Sequence, residues 1–92
     1  MNASAKGRRL EHRSRRILEA AGFEVIRAAG SKGAFDLAGF SPAGILLIQV
    51  KCARLPSPAE REVLALFPAP TNARKLIHVY YPRRREPRVV EL

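Results

Sequence analysis

The chain has 92 residues, of which 47% are hydrophobic, and its 17 Lys and Arg against 8 Asp and Glu give a net charge of +9 at pH 7. This length predicts one small domain with a modest core. No apolar run is long enough to span a membrane, and a single cysteine excludes an internal disulfide or a thiolate zinc cluster. The basic N-terminus lacks the apolar segment of a signal peptide. We therefore expect a cytoplasmic protein.

The positive charge predicts a polyanionic partner, with nucleic acid favoured and no membrane expected. Of the 17 cations 13 are arginine, whose planar guanidinium suits bidentate contacts to phosphate. Codon bias in a GC-rich or thermophilic genome is the alternative explanation for so many Arg, Ala and Pro residues. Net charge alone leaves both open.

The first predicted element is a basic amphipathic helix over residues 7–21, after a disordered segment over residues 1–6. Apolar or small residues recur along it at helical spacing and form one stripe, namely Leu10, Ser14, Ile17, Leu18 and Ala21. Gly22 is a suitable C-terminal stop, because glycine adopts the left-handed backbone that often ends a helix.

Strands and one more helix complete the chain. Strands are predicted over residues 23–29, 34–40, 45–53 and 73–81, with a possible fifth over residues 87–92. A second helix is predicted over residues 57–67, where Ser57, Pro58 and Glu60 form a capping-box pattern. The order α-β-β-β-α-β-(β) predicts a single α/β (α+β) domain over residues 1–92, with helices packed on a mixed sheet.

Polar residues interrupt two of these apolar strands. Asp36 opens the strand "AFDLAGF", and Gln49 and Lys51 lie inside "ILLIQVKCA" on one face. If the two strands pair as an antiparallel hairpin, Asp36 approaches the end of the next strand at Gln49. Burying polar groups costs free energy unless they find partners, so the pattern predicts a polar site at one sheet edge.

The first helix can add a carboxylate to this site. At about 100° per residue, Glu11 falls at the rim of the apolar stripe, where it can reach the edge of the core. Carboxylate, amide and backbone oxygens are hard ligands that suit Mg²⁺ or Mn²⁺ better than zinc. A metal ion and Lys51 on a basic surface are suited to phosphodiester hydrolysis.

Each of these residues also has an ordinary explanation. Gln49 and Lys51 are compatible with the exposed face of an antiparallel strand. Glu11 is also explained by the helix dipole, and Asp36 by turn formation. Their joint occurrence around a strongly apolar strand, in a domain of charge +9, favours a site.

Three segments carry a resemblance to a known family: "GRRLEHR", "GFEVIRAAGSKGAFDL" and "ILLIQVKCAR". The helix Glu, the Asp and the strand ending in Q-x-K resemble the PD-(D/E)XK nuclease superfamily. The whole stretch from about Lys6 to Arg54 resembles the archaeal-type Holliday junction resolvases and their phage-borne relatives, and a phage-encoded member is expected in the cytoplasm of the host. The resemblance implies a restriction-endonuclease-like fold and a structure-selective DNA endonuclease that resolves four-way junctions by paired symmetric nicks.

The resemblance also implies roles for individual residues. Glu11, Asp36 and Gln49 become ligands of Mg²⁺, for which Mn²⁺ can substitute, with the Val50 carbonyl as a backbone ligand. Lys51 becomes the catalytic lysine, and Arg27 and Ser31 lie near the scissile phosphate. Contacts to the DNA backbone are expected from Lys6, Arg8, Arg9, Arg13, Lys32 and Arg54.

Two departures from the family pattern affect what the resemblance implies. Gln49 stands where better-known archaeal members have Glu, so a weaker affinity for Mg²⁺ is expected. The C-terminal part is short, which bears on the homodimer that paired nicks require. Two other functions stay open: a flap, fork or repair nickase on the same fold, and a catalytically silent junction-binding module.

The remaining features are less specific. "PRRREPR" is either a solvated charge run or a second patch for phosphate. Residues 63–67, "VLALF", are predicted to be mainly core, with part available for a dimer contact. Cys52 is predicted to be a small buried apolar residue. His12 and His78, which lack a metal-ligand partner at suitable spacing, are predicted to be a surface residue and a strand residue.

Overall fold

The computed structural model describes residues 3–28 and 34–92. In chain order the elements are α1 (Ala3–Ala20), β1 (Glu24–Arg27), β2 (Leu37–Ser41), β3 (Gly44–Cys52), α2 (Pro58–Leu66), β4 (Ala73–Tyr80) and β5 (Arg88–Glu91). The predicted order of elements is therefore confirmed, including the fifth strand. None of the helices among these residues has the length and apolar character needed to cross a membrane.

The five strands form one mixed sheet in the order β1-β2-β3-β4-β5. All neighbours are antiparallel except β3 and β4, which are parallel and are joined by α2. The predicted hairpin of β2 and β3 is confirmed, with Leu37 opposite Ile48. Because of these directions, the ends of β1, β3 and β4 and the starts of β2 and β5 lie at one edge, here called the carboxyl edge.

Helix α1 packs on one face of the sheet through the predicted stripe. Leu10, Ser14 and Leu18 are buried, and Leu18 contacts a core cluster that contains Val25 and Ile48. Full burial of such a side chain contributes about 1.5–3 kcal/mol. The helix begins at Ala3, four residues before its predicted start, in a segment with two alanines, the strongest helix formers.

Helix α2 covers part of the opposite face. Its capping box is confirmed: Ser57 Oγ accepts from the Glu60 N–H at 3.2 Å, and Glu60 Oε1 accepts from the Ser57 N–H at 3.2 Å. Leu64 packs with Phe35, Ile77 and Val79 in a second core cluster. The N-terminus of α2 is thereby fixed beside the carboxyl end of β3.

Two predictions of burial were wrong. Of the apolar residues 63–67 only Leu64 is buried, whereas 65% of Val63 and 74% of Leu66 are exposed, because α2 presents a single face to the sheet. Cys52 is also exposed. It shares a strand face with Ile48 and Val50, but it is the last residue of β3 and projects past the core that covers them.

Candidate active site

Asp36 lies at the carboxyl edge, directly before β2. Its backbone extends the strand pairing on both sides, since its N–H donates to Ile48 O at 2.8 Å and its carbonyl accepts from the Ala28 N–H at 2.9 Å. Its Oδ2 atom accepts from the backbone N–H of Val50 at 2.8 Å. The carboxylate therefore takes the place of the backbone carbonyl that would accept from Val50 if β2 were longer at its N-terminal end.

The surroundings of Asp36 oppose its ionisation. Burial raises the pKa of this carboxyl group above its ordinary value, and the nearby Glu11 carboxylate raises it further. The hydrogen bond from Val50 and the charges of Lys51 and Arg27 lower the pKa, but the raising effects prevail. A nearby cation would stabilise the ionised form of Asp36, so these surroundings favour the binding of a cation.

Gln49 contributes an oxygen without a partner. Its Nε2 donates to Ala34 O at 3.2 Å, which fixes the orientation of the amide because a carbonyl can only accept. Its Oε1 is buried and forms no hydrogen bond. An unsatisfied buried acceptor costs about 1–3 kcal/mol, so a cation at this oxygen would recover free energy.

The Val50 carbonyl faces the same side as Asp36. Ile48 O accepts from Asp36, and the Val50 N–H donates to Asp36, so both residues direct their backbone groups toward β2. A residue in a β-ladder directs its N–H and C=O to the same neighbouring strand. The Val50 carbonyl therefore points to the β2 side of β3, just beyond the first residue of β2. This backbone oxygen is available at the edge.

Glu11 reaches the edge from α1. Its side chain is 18% exposed, and its Oε1 accepts from Arg27 Nε at 2.7 Å. Arg27 is the last residue of β1, so this contact ties the helix to the edge of the sheet where Asp36 lies. The second carboxylate oxygen of Glu11 is not used in this hydrogen bond.

Lys51 lies on the opposite face of the sheet from Glu11. Its Nζ is 3.9 Å from Glu60 Oε2 at the N-terminal turn of α2. Glu60 lies beside Lys51, which the sequence pattern did not predict. The capping box already accounted for Glu60, and the packing of a helix on a strand cannot be deduced from spacing. The pair is half exposed, so the lysine can move to another anion at little cost.

The donor set fits a hard divalent cation. Two carboxylates, an orphaned amide oxygen and a backbone carbonyl are oxygen ligands that suit Mg²⁺ or Mn²⁺. Across residues 3–28 and 34–92, no three His, Cys, Asp or Glu side chains group as a metal cluster. A ligand set with an amide as its third side chain agrees with that finding.

The basic residues predicted to contact DNA fall in three places. Arg8 lies beside Glu11 and Arg27, and Arg54 lies beside Lys51. Lys6, Arg9 and Arg13 lie on another side of α1, next to residues 81–85. Ser31 and Lys32 lie outside the described residues. The predicted surface residue His12 is exposed, and His78 is a strand residue that is also buried.

This fold and site define a nuclease of the PD-(D/E)XK superfamily. A sequence model described as archaeal Holliday junction resolvase (hjc) matches residues 2–84, and the chain belongs to this family. It is also similar to a solved structure, a Holliday junction resolvase from the archaeal hyperthermophile Archaeoglobus fulgidus, with 29% identity and a TM-score of 0.73. That match covers 94% of this chain and 72% of the other. A search of curated proteins finds no match.

The family establishes what the protein does. Its members are endonucleases that cleave Holliday junctions, so the prediction of a junction resolvase is confirmed. The predicted restriction-endonuclease-like architecture is confirmed by the shared fold. Family membership also implies binding to DNA junctions and a general dependence on divalent metal ions.

Proposed function

We propose that this resolvase cuts four-way junctions with Mg²⁺ held by Glu11, Asp36, Gln49 and the Val50 carbonyl. The observation that supports this most is the buried, unpartnered Oε1 of Gln49, which follows Ile48, the strand partner of Leu37, on the same edge of the sheet as Asp36. A polar core atom without a hydrogen bond is rare and needs a reason. A divalent cation held by the amide and carboxylate oxygens would supply one. Mn²⁺ satisfies the same oxygen donors and is expected to substitute.

The chain's own residues prepare the reaction. A bound divalent ion lowers the pKa of water and neutralises charge at a phosphodiester. The Val50 N–H holds the Asp36 carboxylate, and Arg27 holds the Glu11 carboxylate. Both side chains are therefore positioned before substrate arrives. Lys51 supplies a mobile positive charge for the transition state at the end of β3. Arg27 and Ser31 orient the phosphate.

The contacts to DNA are electrostatic. Lys6, Arg8, Arg9 and Arg13 project from α1 and are exposed, as is Arg54 directly after β3, and Lys32 is proposed to join them. Such contacts position the backbone and carry no sequence information. Binding should therefore weaken steeply with salt. An enzyme with this role is expected in the cytoplasm, where its DNA substrate lies.

The enzyme is proposed to act as a homodimer. Paired nicks on symmetric strands need two active sites related by a two-fold axis, and an isologous dimer supplies them. Exposed apolar residues support this proposal: Phe67, the C-cap of α2, lines a groove with Ile26 and Leu47 of the sheet, and Val63 and Leu66 are exposed on α2. Exposed apolar patches of this kind are typical of interfaces.

The test uses a labelled synthetic four-way junction and a linear duplex of the same sequence, each with Mg²⁺ and with EDTA. We expect symmetric nicks in the junction alone, and only with metal. Asp36→Asn should lose them, whereas Glu62→Gln, which changes an exposed carboxylate on α2, should keep them. Nicking that persists in Asp36→Asn would contradict the assigned metal site. Tight binding without cuts in both Mg²⁺ and Mn²⁺ would indicate a silent junction-binding module.

A further inference from the structure

A buried polar network joins the apolar stripe of α1 to β4. Ser14 Oγ lies 2.8 Å from His78 Nδ1 and 2.7 Å from the Tyr80 hydroxyl. All three residues are buried, and Ser14 is 0% exposed. One hydroxyl can donate to one partner and accept from the other, so both hydrogen bonds form at once. We call these three residues the Ser14 network.

Stability alone does not explain why polar groups occupy this part of the core. A hydrogen bond inside a protein replaces one to water, so its net contribution is small, and apolar groups of the same shape can be nearly as good. Leu10 and Leu18, on the same stripe of α1, are buried without such bonds. A hydrogen bond does, however, require one distance and direction, and a satisfied buried network specifies a unique arrangement. The Ser14 network therefore fixes the position of α1 on the sheet more narrowly than apolar packing does.

The helical end of the Ser14 network lies one turn from a candidate metal ligand. Glu11 precedes Ser14 by three residues, about 4.5 Å along the axis of α1, so a shift of the helix at Ser14 also moves Glu11. Glu11 is also held by Arg27, whose Nε donates to it at 2.7 Å, but 40% of the Arg27 side chain is exposed. Exposed ion pairs hold their partners weakly. Of these two polar attachments of α1, the buried one is the Ser14 network.

The other end of the Ser14 network lies beside the candidate metal site. Strands β3 and β4 are parallel, and His78 stands opposite Val50 in their register. Adjacent strands are about 4.8 Å apart. Val50 provides the backbone carbonyl assigned to the metal, and its N–H donates to the Asp36 carboxylate at 2.8 Å. The network therefore connects the helical turn that follows Glu11 to the strand position next to Val50.

Glu11 is the candidate ligand whose position depends most on packing. Asp36, Gln49 and the Val50 carbonyl belong to the β2–β3 hairpin and its immediate extension, where backbone hydrogen bonds fix them relative to one another. Glu11 comes from α1, a separate element that rests on this hairpin through side chains such as Leu18. Functional groups must be held within about 0.5 Å of the productive geometry. The position of α1 therefore decides whether Glu11 reaches an ion at the hairpin.

We propose that Ser14, His78 and Tyr80 are positioning residues that set the distance between Glu11 and a metal ion held by the β2–β3 hairpin. The inference rests on the proposed function, in which Glu11 is a ligand. The Ser14 network acts through the position of α1 and does not itself contact the ion. When one of its hydrogen bonds is lost, α1 is free to shift, and metal binding weakens although every ligand group is still present.

The experiment measures binding of Mn²⁺ to the full chain without DNA, from the loss of the electron paramagnetic resonance signal of the free ion. Ser14→Ala removes the central hydroxyl, and Tyr80→Phe removes one hydrogen bond but keeps the ring beneath the Arg13 guanidinium. Val90→Ala is the matched control, because it removes apolar contacts from the core on the other face of the sheet. Thermal unfolding verifies that each variant folds and measures the stability that it loses.

We expect Ser14→Ala to weaken Mn²⁺ binding by about tenfold, the scale seen when a group that orients a metal ligand is lost. Tyr80→Phe should weaken it by a smaller factor, because the bond between Ser14 and His78 remains. Val90→Ala should bind Mn²⁺ like the wild type, even if it loses as much stability. Wild-type affinity in both network variants, or an equal loss in Val90→Ala, would overturn the proposal.

A double variant tests the route and separates the two proposals. If Ser14 acts through Glu11, then Ser14→Ala should cause no further loss of Mn²⁺ affinity in a Glu11→Gln background. A full tenfold loss in that background would overturn the positioning role. If Glu11→Gln weakens binding and the network variants do not, the proposed metal site stands and only the network fails. If Glu11→Gln binds Mn²⁺ like the wild type, Glu11 is not a ligand and both proposals fail.

Discussion

The carboxylate of Asp36 and the backbone N–H of Val50 form a 2.8 Å hydrogen bond that joins residues 14 positions apart. This bond replaces a rung of the β2–β3 ladder with a side chain. It leaves the carboxyl group partly buried, near Glu11, at the carboxyl edge of the sheet. The metal-free fold therefore contains a negative charge that its surroundings oppose, and this conflict leads to a prediction about stability.

Asp36→Asn should raise the melting temperature of the metal-free protein at neutral pH. Burial and Glu11 raise the pKa of Asp36 in the folded state, so the fold binds more protons than the unfolded chain between the two pKa values. Stability from this group therefore falls as pH rises from the unfolded value of about 3.9 through the raised folded value. Asparagine removes this charge and keeps an oxygen that can accept from Val50.

The measurement is thermal unfolding in EDTA at pH 3.5, 5 and 7.5. The gain from Asp36→Asn should be present at pH 7.5 and largely disappear at pH 3.5, where the carboxyl group is mostly protonated in both states. Added Mg²⁺ should stabilise the wild type and not the variant. A variant that is less stable than the wild type at pH 7.5 in EDTA would show that the carboxylate is not opposed by its surroundings.

Gln49→Glu should lower the Mg²⁺ concentration needed for cleavage. Gln49 Oε1 is buried without a hydrogen bond, so it can bind an ion, but as a neutral ligand it adds no charge to those of Glu11 and Asp36. A third carboxylate strengthens the attraction for a hard cation. Without metal, the same change should destabilise the fold, because it places another anion beside two others.

Metal titration of cleavage, together with melting in EDTA and in Mg²⁺, tests this prediction. Gln49→Ala is the matched control, since it removes the oxygen and the charge together and should need more metal than the wild type. An unchanged Mg²⁺ requirement in both variants would mean that this side chain is not a ligand.

Much of this architecture could be predicted from local sequence. Alternating apolar residues defined the strands, a short turn defined the hairpin of β2 and β3, and the Ser57–Glu60 spacing defined the start of α2. These signals involve neighbours in sequence, so spacing is sufficient. The hairpin in turn places Asp36 opposite the end of β3, which is why the candidate site follows from the sequence.

Contacts between distant elements could not be predicted in this way. The Lys51–Glu60 pair depends on how α2 returns to the sheet, and the exposure of Cys52 depends on where the core ends. Ser14 was predicted as part of an apolar stripe because it is small, but it is the centre of a buried hydrogen-bond network. Its partners lie more than 60 residues away, beyond any periodic pattern.

Because of His78, the free energy of unfolding should decrease as pH falls from about 7.5 to 5.5. Burial lowers the pKa of His78 below its ordinary value, so the unfolded chain binds more protons than the fold in this range. The stability contribution is complete above the unfolded pKa of about 6.5 and is lost as pH falls toward the lower folded value. Circular dichroism melts across this range measure it.

His78→Gln keeps a polar side chain for Ser14 and should flatten this pH dependence, at a cost of about 1–3 kcal/mol if one buried group loses its partner. His12→Gln changes the other histidine, which is exposed, and should leave the pH dependence as it is in the wild type. If His12→Gln flattens the pH profile and His78→Gln does not, the loss of stability at low pH does not come from His78.

Leu66→Glu should convert the proposed homodimer to a monomer. Leu66 is 74% exposed at the end of α2 and precedes Phe67, which lines the apolar groove of the sheet, so a charge at Leu66 costs little in the monomer and is buried in an interface. Light scattering measures the change in mass. Val89→Glu is the matched control, because Val89 is 53% exposed on β5. The next residue, Val90, packs on the α2 side of the sheet, so Val89 faces the other side. If Leu66→Glu stays dimeric, the interface lies elsewhere. If it becomes monomeric, junctions should receive single, uncoordinated nicks, because one active site then acts at a time.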